Sequence, residues 1–547
     1  MLGHKTLTAL ALAALALPAS ASAFCGFYVA GSDEGLTNNA SMVVMMRDGT
    51  TTVLSMQNDY EGPPAAFALV VPVPVVIREE QVRILPRDVF ARVNTLASPR
   101  LVEYWEQDPC APIPPMPAPA PSSVMRSAGG GGRPGGGDLG VRIEAQFEVG
   151  EYEIVILSAR DSDGLETWLR REQYNIPEGA SSALRPYVEQ GTKFFVARVN
   201  VERVTFENGR AILSPIRVHY TSETFALPVR LGLLNSPGVQ DLLVHILSRE
   251  GRFDVANYEN VTIPTNLDVD ESVRGRFAEF YATLFDRTLE RNPGAVVTEY
   301  AWQATSCDPC PGPVVTSQDL VTLGGDVAAP DDPSLRAPAG GGRFGGMGFF
   351  GSSPWVLTRL HYRYAASGLD EDLVFRRAAP IVGGREFMQE NGVLEERSRP
   401  ASDNNFQARY AIRHPWTGPI ACDDPVRGRW GGPPAEGRVN AGAGPTAAAE
   451  NTAYAPRGTL QLEPVLRTSA PEVGLEARLA SIADILSGAA TAEAQAEPGP
   501  EAPATPALTP APATPPSGCG GCAIEPRPSP LGLGALLALA LLAWRRR

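Results

Sequence analysis

The sequence predicts an α+β fold that is rich in β-strands, with mostly antiparallel sheets and a few helices. Short runs of β-branched and aromatic residues recur over the first 430 of the 547 residues. One of these runs contains a strong hairpin signal. Amphipathic helix patterns are fewer and fall between the strands. We therefore expect sheets to form the core and helices to cover them.

The hairpin signal is Asp48-Gly49, which separates the β-rich runs SMVVMMR and TTTVLSMQ. An Asp-Gly pair between two such runs is typical of a tight two-residue turn. Further strands are predicted at 67–76, 141–159, 193–200, 211–220, 224–233, 240–258, 355–364 and 404–415.

Three segments have a helical pattern of apolar residues: Asp88–Leu96, Asp163–Tyr174 and Glu271–Arg291. In the second, Asp163 is predicted to be the N-cap, with Glu166 three residues later. In the third, apolar residues from Val273 to Leu289 recur on one face. We expect all three helices to pack against the sheets.

A faint internal repeat is visible. LVEYWEQDPC ends at Cys110 and VVTEYAWQATSCDPC ends at Cys310. Each follows a predicted helix and leads into a segment rich in proline and glycine. Two related lobes would explain this repeat, and so would a chance similarity between short strand-and-turn segments.

Glycine and proline, 54 and 51 residues in all, concentrate in three places. Segments 111–138 and 337–353 are predicted to be low-complexity insertions in the body. The third segment, 431–517, is rich in alanine, proline and glutamate and is predicted to be a flexible stalk. Within this stalk, Leu475, Leu479, Ile482 and Leu486 suggest a transient amphipathic helix.

The first 23 residues are predicted to be a secretory signal peptide. Leu7–Leu17 is apolar, and small residues at Ala21 and Ala23 have the spacing that a signal peptidase recognises. The run is too short for a spanning helix. We expect cleavage after Ala23.

The last 17 residues are predicted to be a short membrane segment, Leu531–Trp544, followed by Arg545, Arg546 and Arg547. Positive flanks stay in the cytoplasm, so the body is expected to lie outside it. The segment is shorter than the roughly 20 residues that span a bilayer comfortably.

Cys519 and Cys522 each follow a glycine just before this segment. The order of cysteine, short apolar run and arginine cluster resembles the myxobacterial C-terminal sorting signal (MYXO-CTERM). That resemblance implies cleavage beside a cysteine by a membrane-embedded processing enzyme, and then delivery to the cell surface. A plain membrane anchor is the alternative.

The mature body contains five cysteines: Cys25, Cys110, Cys307, Cys310 and Cys422. In an exported chain, a structural disulfide is the favoured role of the Cys307-Asp-Pro-Cys310 motif. The alternatives are a redox pair, which needs a thiol activated at the start of a helix, and a metal site, which needs a second cysteine pair. A long bridge between Cys25 and Cys110 is also favoured.

Other chemical motifs are weak. The histidines at 219 and 361 alternate within strands, which favours packed residues over metal ligands or bases. Glu103 and Glu299 could be glycosidase carboxylates only if they face each other. Helix capping explains Asp161, Asp163 and Glu166 better than calcium does. Gly346, Gly348 and Gly351 lie in a linker, without the preceding strand and following helix of a dinucleotide site. We therefore expect no cofactor and no metal.

The net charge is −14, without a basic stripe, which argues against nucleic-acid binding. Several segments of the body, including FCGFYVAGSDEGLTNNASMVVMMRDG, EYEIVILSARDSDGLETWL, GTKFFVARVN and LPVRLGLLNSPGVQDLLVHILSREGR, resemble the bacterial domain-of-unknown-function 2330 family (DUF2330). The resemblance spans Phe24 to Cys422, with both glycine-rich segments as insertions. It implies no known activity.

The sequence thus predicts an exported protein of the cell envelope, in the inner membrane during transit and at the outer surface after processing. A binding or structural role is favoured over catalysis. The alternative is an exported enzyme, either a thiol-disulfide oxidoreductase at Cys307 and Cys310 or a hydrolase. The expected partners are the membrane, through the tail, and the processing enzyme. The predicted domains are a signal peptide (1–23), a body (24–430), a stalk (431–517) and a sorting signal (518–547).

Overall fold

The computed structural model describes residues 27–30, 40–57, 67–111, 141–172, 179–207, 210–235, 239–335, 355–365, 367–385, 394–433, 446–448 and 460–488. These residues all belong to one compact unit. The helices are α1 (Arg87–Ala97), α2 (Ser162–Arg171), α3 (Ala180–Glu189), α4 (Phe277–Arg291), α5 (Ser317–Leu320), α6 (Asp326–Ala328) and α7 (Ile482–Ser487).

The strands are more numerous than the helices, as predicted. In chain order they are β1 (Phe27–Ala30), β2 (Ala40–Asp48), β3 (Thr51–Met56), β4 (Phe67–Val73), β5 (Val82–Ile84), β6 (Arg100–Glu106), β7 (Val141–Val149), β8 (Tyr152–Ala159), β9 (Lys193–Val199), β10 (Thr205–Glu207), β11 (Arg210–Ile212), β12 (Ile216–Thr221), β13 (Ala226–Leu227), β14 (Val239–Ser248), β15 (Phe253–Val255), β16 (Asn260–Thr262), β17 (Leu267–Asp268), β18 (Val296–Gln303), β19 (Val356–Ala365), β20 (Leu373–Arg377), β21 (Ile381–Gly383), β22 (Arg399–Pro400), β23 (Asn405–Gln407), β24 (Arg409–His414), β25 (Trp430–Gly431) and β26 (Thr446–Ala448).

The largest sheet, called here the central sheet, has 11 strands in the order β22-β21-β23-β18-β19-β14-β2-β3-β12-β5, with β16 beside β18. A second sheet of 5 strands has the order β1-β4-β9-β8-β7. The third, called the edge sheet, has the order β17-β24-β6-β25, with β26 beside β6. Most pairs among the described strands are antiparallel, which confirms the predicted α+β class; the parallel pairs are β2–β14, β16–β18, β17–β24, β21–β23 and β6–β24.

The predicted hairpin is present. β2 and β3 pair antiparallel, with Asp48 opposite Thr51, and Gly49 has a φ of 54° in the turn between them. The two faces of β2 enter different cores. Val43 and Met45 pack against the second sheet, whereas Val44 and Met46 pack against α1. Because side chains alternate along a strand, an apolar run buried on both sides is the expected sequence for this position.

The second sheet is also covered on both sides. One face contributes Leu69, Ile154 and Phe195 to the core shared with the central sheet. The other face packs on α2 and α3 through Leu165 and Leu184. The layers are therefore helices α2 and α3, the second sheet, the central sheet, and helix α1.

The predicted helices are present with altered ends. α1 exceeds its prediction by one residue at each end. α2 begins earlier than predicted because Asp161, not Asp163, is the N-cap and accepts a hydrogen bond from the N–H of Gly164. Residues 271–276 form a 3₁₀ helix before α4. The sequence reading missed α3, whose interior Pro186 is unfavourable in a helix.

The repeated segments both fold as a helix followed by a strand, namely α1 with β6 and α4 with β18. The two strands pair differently. β6 lies parallel to β24 in the edge sheet, whereas β18 lies antiparallel to β19 and β23 in the central sheet. The two segments belong to the same compact unit.

Residues 460–488, called here the strap, correct the prediction of a flexible stalk over 431–517. The strap packs on α4 and the edge sheet, where it buries Leu462, Leu466 and Val473 among others. Its backbone joins the start of the edge sheet, since the N–H of Arg467 donates to the carbonyl of Asp268 at 2.8 Å. Composition misled the prediction because most of the few large apolar residues of this segment are buried, namely Leu460, Leu462, Leu466, Val473, Leu475 and Ile482. Within it, Ile482 and Leu486 are helical, but Leu475 and Leu479 precede α7.

Candidate functional site

The Cys307–Cys310 loop follows β18, which ends at Gln303. The two cysteines are bonded to each other, with a Cα–Cα distance of 4.9 Å. The side chain of Cys307 packs against the apolar cluster around α1, whereas Cys310 is exposed. The next helix, α5, begins only at Ser317. Cys307 therefore lacks the helix N-terminus that would activate a catalytic thiol.

Two buried side chains donate hydrogen bonds to this loop. Nη1 of Arg100 lies 3.0 Å from the carbonyl oxygen of Pro309. Nε2 of Gln407 lies 2.9 Å from the carbonyl oxygen of Asp308. Arg100 also donates to the carbonyl of Leu96 in the last turn of α1, and its guanidinium lies 5.8 Å from the centre of the Tyr300 ring. Burial lowers the pKa of Arg100 to about 10.

The second disulfide joins Cys110 to Cys422, across 312 residues of sequence and 5.6 Å between Cα atoms. The predicted bridge between Cys25 and Cys110 is therefore wrong, and Cys25 lies outside the described residues. Cys110 follows β6 and Cys422 follows β24. These strands are parallel neighbours with Trp105 opposite His414, so the segments after them leave the sheet at the same edge.

A network of charged side chains is buried between the central sheet and α4. Nε of Arg359 lies 2.5 Å from Oε2 of Glu299, and both side chains are 0% exposed. His361 bridges two carboxylates, with Nδ1 2.7 Å from Glu299 and Nε2 2.9 Å from Asp241. Arg363 extends the network toward the surface by contacting Asp241.

The network is held together from several elements. The hydroxyl of Tyr281 in α4 donates to Glu299 at 2.6 Å. The ring of Phe285, one turn further along α4, stacks on His361 with 3.8 Å between ring centres. Nη1 of Arg359 donates to the Asn94 side chain at 2.6 Å, near the end of α1. One face of β19 thus supplies alternate charged residues that meet both helices.

The pKa values follow from this pairing. Burial alone would raise the pKa of Glu299, but Arg359 and His361 outweigh it and lower the pKa to about 2. Burial would likewise raise the pKa of Asp241, which His361 and Arg363 lower to about 2. For His361, burial lowers the pKa, and the two carboxylates raise it by more. The two carboxylates are therefore ionised at neutral pH, and their pairing favours the protonated form of His361.

Glu103, the other candidate carboxylate, pairs with Arg274 at 2.6 Å and with His414 at 3.0 Å. Burial raises the pKa of Glu103, and these two partners lower it below its ordinary value. A glycosidase needs one carboxylic acid with a raised pKa as its proton donor. Neither Glu103 nor Glu299 meets that requirement.

The remaining candidates have structural positions. His219 and His361 lie in strands β12 and β19, as predicted. Glu166 was predicted to take part in capping α2. In the structure it accepts hydrogen bonds from Arg170 and from the N–H of Ser181 at the start of α3. Among the described residues, no group of three or more histidine, cysteine or acidic side chains is arranged to hold a metal ion.

The buried network was missed by sequence reasoning, although a signal for it exists. Arg359, His361 and Arg363 recur at every second position of a strand whose other residues, apart from Thr358, are apolar or aromatic. Such alternation places three ionisable groups on one face. A face of this kind must be exposed to water or paired with opposite charges.

The export and sorting residues lie outside the described part of the chain. These are Ala21, Ala23, Cys519, Cys522, Arg545, Arg546 and Arg547, together with the predicted membrane segment 531–544. The glycine motif at 346–351 also lies outside it. Within the described ranges, every helix is too short or too polar to cross a bilayer.

Comparison with known proteins identifies one relationship. No curated protein and no solved structure matches this chain significantly. The family model described as "Uncharacterized protein conserved in bacteria (DUF2330)" matches residues 18–376, which is well over half of the chain. The match covers α1 to α6 and ends within β20, before the edge-sheet strand β24 and the strap. The chain therefore belongs to the DUF2330 family.

Proposed function

We propose that this chain is an exported protein of the cell envelope, retained by its C-terminal tail, whose body acts by binding or as a structural element rather than by catalysis. The observation that carries the proposal is the disulfide between Cys110 and Cys422. Disulfides persist in oxidising compartments and are rare in the cytosol. The signal-like segment 1–23 supports the same location.

The proposal of a non-catalytic body rests on the state of its ionisable groups. Glu103 and Glu299 are both engaged by arginines. Cys307 is bonded to Cys310 in a loop rather than at the start of a helix. A catalytic acid or nucleophile needs a pKa suited to proton transfer or attack near neutral pH. The arrangement of these candidates favours stability over turnover.

For the tail, we propose a sorting signal of the MYXO-CTERM type. Leu531–Trp544 and the three terminal arginines would hold the precursor in the inner membrane. Cys522, the cysteine nearer to the membrane segment, is the proposed recognition or modification site, with Cys519 as the alternative. Release of the tail would then transfer the protein to the outer surface.

The decisive experiment is an intact-mass measurement on protein extracted from cell surfaces. Mature chains should begin at Phe24 and lack the final LLAWRRR. The Cys522→Ala variant should remain as a precursor in the inner membrane, and Cys519→Ala is its matched control. Replacement of Arg545–Arg547 by alanine should let the chain pass into the periplasm. Mature chains that retain LLAWRRR would show that the tail is a plain anchor.

A second experiment tests the thiol-disulfide oxidoreductase alternative. The purified protein is assayed for catalysis of the reduction of insulin disulfides by dithiothreitol, with a thioredoxin as positive control. We expect no rate above background, and Cys307→Ser should not change it. Turnover that disappears in Cys307→Ser would establish the thiol-disulfide oxidoreductase alternative.

A further inference from the structure

The two sulfur atoms of the Cys307–Cys310 bridge have different surroundings. Cys310 is exposed, whereas Cys307 packs against the apolar cluster that includes Phe90 and Val93 of α1. A thiolate can therefore approach Sγ of Cys310 from solvent, whereas the apolar cluster obstructs its approach to Sγ of Cys307. Access decides which sulfur of a disulfide is attacked.

The peptide between the two cysteines is part of the core. Its carbonyls at Asp308 and Pro309 accept hydrogen bonds from Gln407 and Arg100, whose side chains are almost completely buried. Nε of Arg100 has no hydrogen-bond partner, and neither has Oε1 of Gln407. Among the described residues, no other group takes the place of the loop carbonyl as the acceptor for either of these hydrogen bonds. We call this pair of bonds the loop latch.

We propose that the Cys307–Cys310 disulfide is a thiol-exchange site, entered at Cys310 by a dithiol reductant, and that its reduction opens the loop latch. The protein is the substrate of this exchange and not its catalyst. This proposal does not depend on the proposed role in the envelope. It requires only an exposed disulfide and a dithiol reductant, which is either a small molecule or a pair of thiols on the surface of a reductase.

The exchange proceeds in two balanced steps. A thiolate of the reductant attacks Sγ of Cys310, the bond between the two cysteine sulfurs breaks, and Cys307 leaves as a thiolate that takes up a proton. The second thiol of the reductant then attacks its own sulfur in the mixed disulfide and releases Cys310. Two electrons and two protons reach the protein, and the reductant becomes a cyclic or intramolecular disulfide.

The consequence is local to the junction between α1 and β6. Arg100 is the first residue of β6, and it donates to Leu96 in α1 as well as to the loop. When the bridge opens, the four-residue loop gains conformational freedom and the carbonyl of Pro309 is no longer fixed beside the guanidinium. The Cys110–Cys422 bridge joins the segments that leave the paired strands β6 and β24, so the sheet holds its two cysteines close together, and it should resist the same reductant.

The first test compares the two bridges in one sample. Purified full-length protein is equilibrated with graded dithiothreitol redox buffers, alkylated and mapped by mass spectrometry. Cys307–Cys310 should open at a reductant ratio at least about tenfold lower than Cys110–Cys422, since exposed bridges are the labile ones. Simultaneous opening of both bridges would overturn the proposal.

The second test assigns the entry point. In Cys307→Ser the free thiol is Cys310, and in Cys310→Ser it is Cys307. Cys310 should react with a glutathione-sized disulfide about tenfold faster than Cys307, because reactivity follows exposure. Equal rates, or a faster Cys307, would contradict entry at Cys310.

The third test addresses the latch. Gln407→Leu removes one latch bond, and Gln240→Leu is the control for loss of a buried glutamine, because Gln240 donates to the carbonyl of Gly232 and accepts from Tyr364, away from the loop. The hydrogen bond is made only in the oxidised form, so its loss should shift the equilibrium constant for reduction of Cys307–Cys310 toward the reduced form by about fivefold. Reduction should also speed hydrogen exchange over residues 94–106. An unchanged equilibrium, or the same change in the control, would show that the loop is not latched.

Discussion

Glu299 and Arg359 form an ion pair that is closed off from solvent on every side, with 2.5 Å between Nε and Oε2. Removing two charges from water is costly, and a buried pair compensates for that cost only when its other hydrogen-bonding groups are also satisfied. Tyr281 and His361 provide this for the carboxylate, and Asn94 and Ser98 accept from Nη1 of the guanidinium, whose Nη2 has no hydrogen-bond partner among the described residues. The pair thus links α1, α4 and the central sheet.

Replacement of Glu299 by glutamine should lower the free energy of unfolding by about 3–5 kcal/mol, because it leaves Arg359 buried without its counter-charge. Urea unfolding followed by tryptophan fluorescence measures this loss. Glu290→Gln is the matched control, since Glu290 forms an exposed pair with Arg287 and its loss should cost less than about 1 kcal/mol. Equal losses in the two variants would contradict a special role for the buried pair.

The buried network should make its largest contribution to stability in mildly acidic solution. The folded pKa of Glu299 and of Asp241 is about 2, below the unfolded values, so their contribution is present above about pH 4.3 and is lost as the pH falls toward 2. The pKa of His361 is raised, so its contribution is complete below about pH 6.5 and is lost as the pH rises through the folded value. When the free energy of unfolding is measured from pH 3 to 9, the network's contribution should fall below about pH 4.3 and above about pH 6.5. In His361→Gln the alkaline decline should become shallower, and an unchanged decline would refute the assignment.

His245 should have the opposite effect to His361, since it should lower the stability of the fold as the pH falls. Its ring is fully buried, and burial, assisted by Arg359, lowers its pKa to about 3. The unfolded chain therefore binds a proton below about pH 6.5 that the folded chain does not, which costs about 2 kcal/mol of stability at pH 5. His245→Leu should reduce the loss of stability between pH 6.5 and pH 5, as measured by urea unfolding at both values. A variant that loses as much stability on acidification as the parent would contradict this explanation.

The two disulfides should differ in their effect on stability. Cys422→Ser opens a bridge across 312 residues, and we expect a loss of about 2–5 kcal/mol, since a long closed loop restricts the unfolded chain most. Cys307→Ser should cost less, because a loop of four residues restricts the unfolded chain little. Thermal unfolding without reductant compares the variants. The reverse order would show that strain or packing, not chain entropy, determines these contributions.

The packing of the strap predicts how truncation of the chain affects stability. A chain that ends at Gly488 should be as stable as the full-length protein, whereas a chain that ends at Pro433 should be less stable, because it loses the buried side chains Leu466 and Val473. Limited proteolysis should cut beyond residue 488 before it cuts within 460–488. Equal stability of both truncated chains would mean that the strap contributes nothing to the fold.

Local sequence signals predicted much of the secondary structure. Asp48-Gly49 predicted the first hairpin, and apolar periodicity predicted α1 and α4. Long-range relations were not accessible in this way. The Cys110–Cys422 bridge depends on β6 and β24, which lie about 300 residues apart in sequence and meet only in the folded sheet. The strap was missed because its few apolar residues lie in an alanine- and proline-rich background. The charged face of β19 could have been found, but its partners in α4 could not.

The strap also determines how a mechanical load enters the molecule. A pull on the chain beyond Gly488 reaches the body first through the strap, whose backbone forms hydrogen bonds with Asp268 at the end of β17 and with Asp270 just after it. By contrast, β14 and β19 are paired along ten residues each at the centre of the fold. Under tension applied beyond Gly488, we therefore expect the strap to detach before the longer pairing of β14 with β19 is loaded.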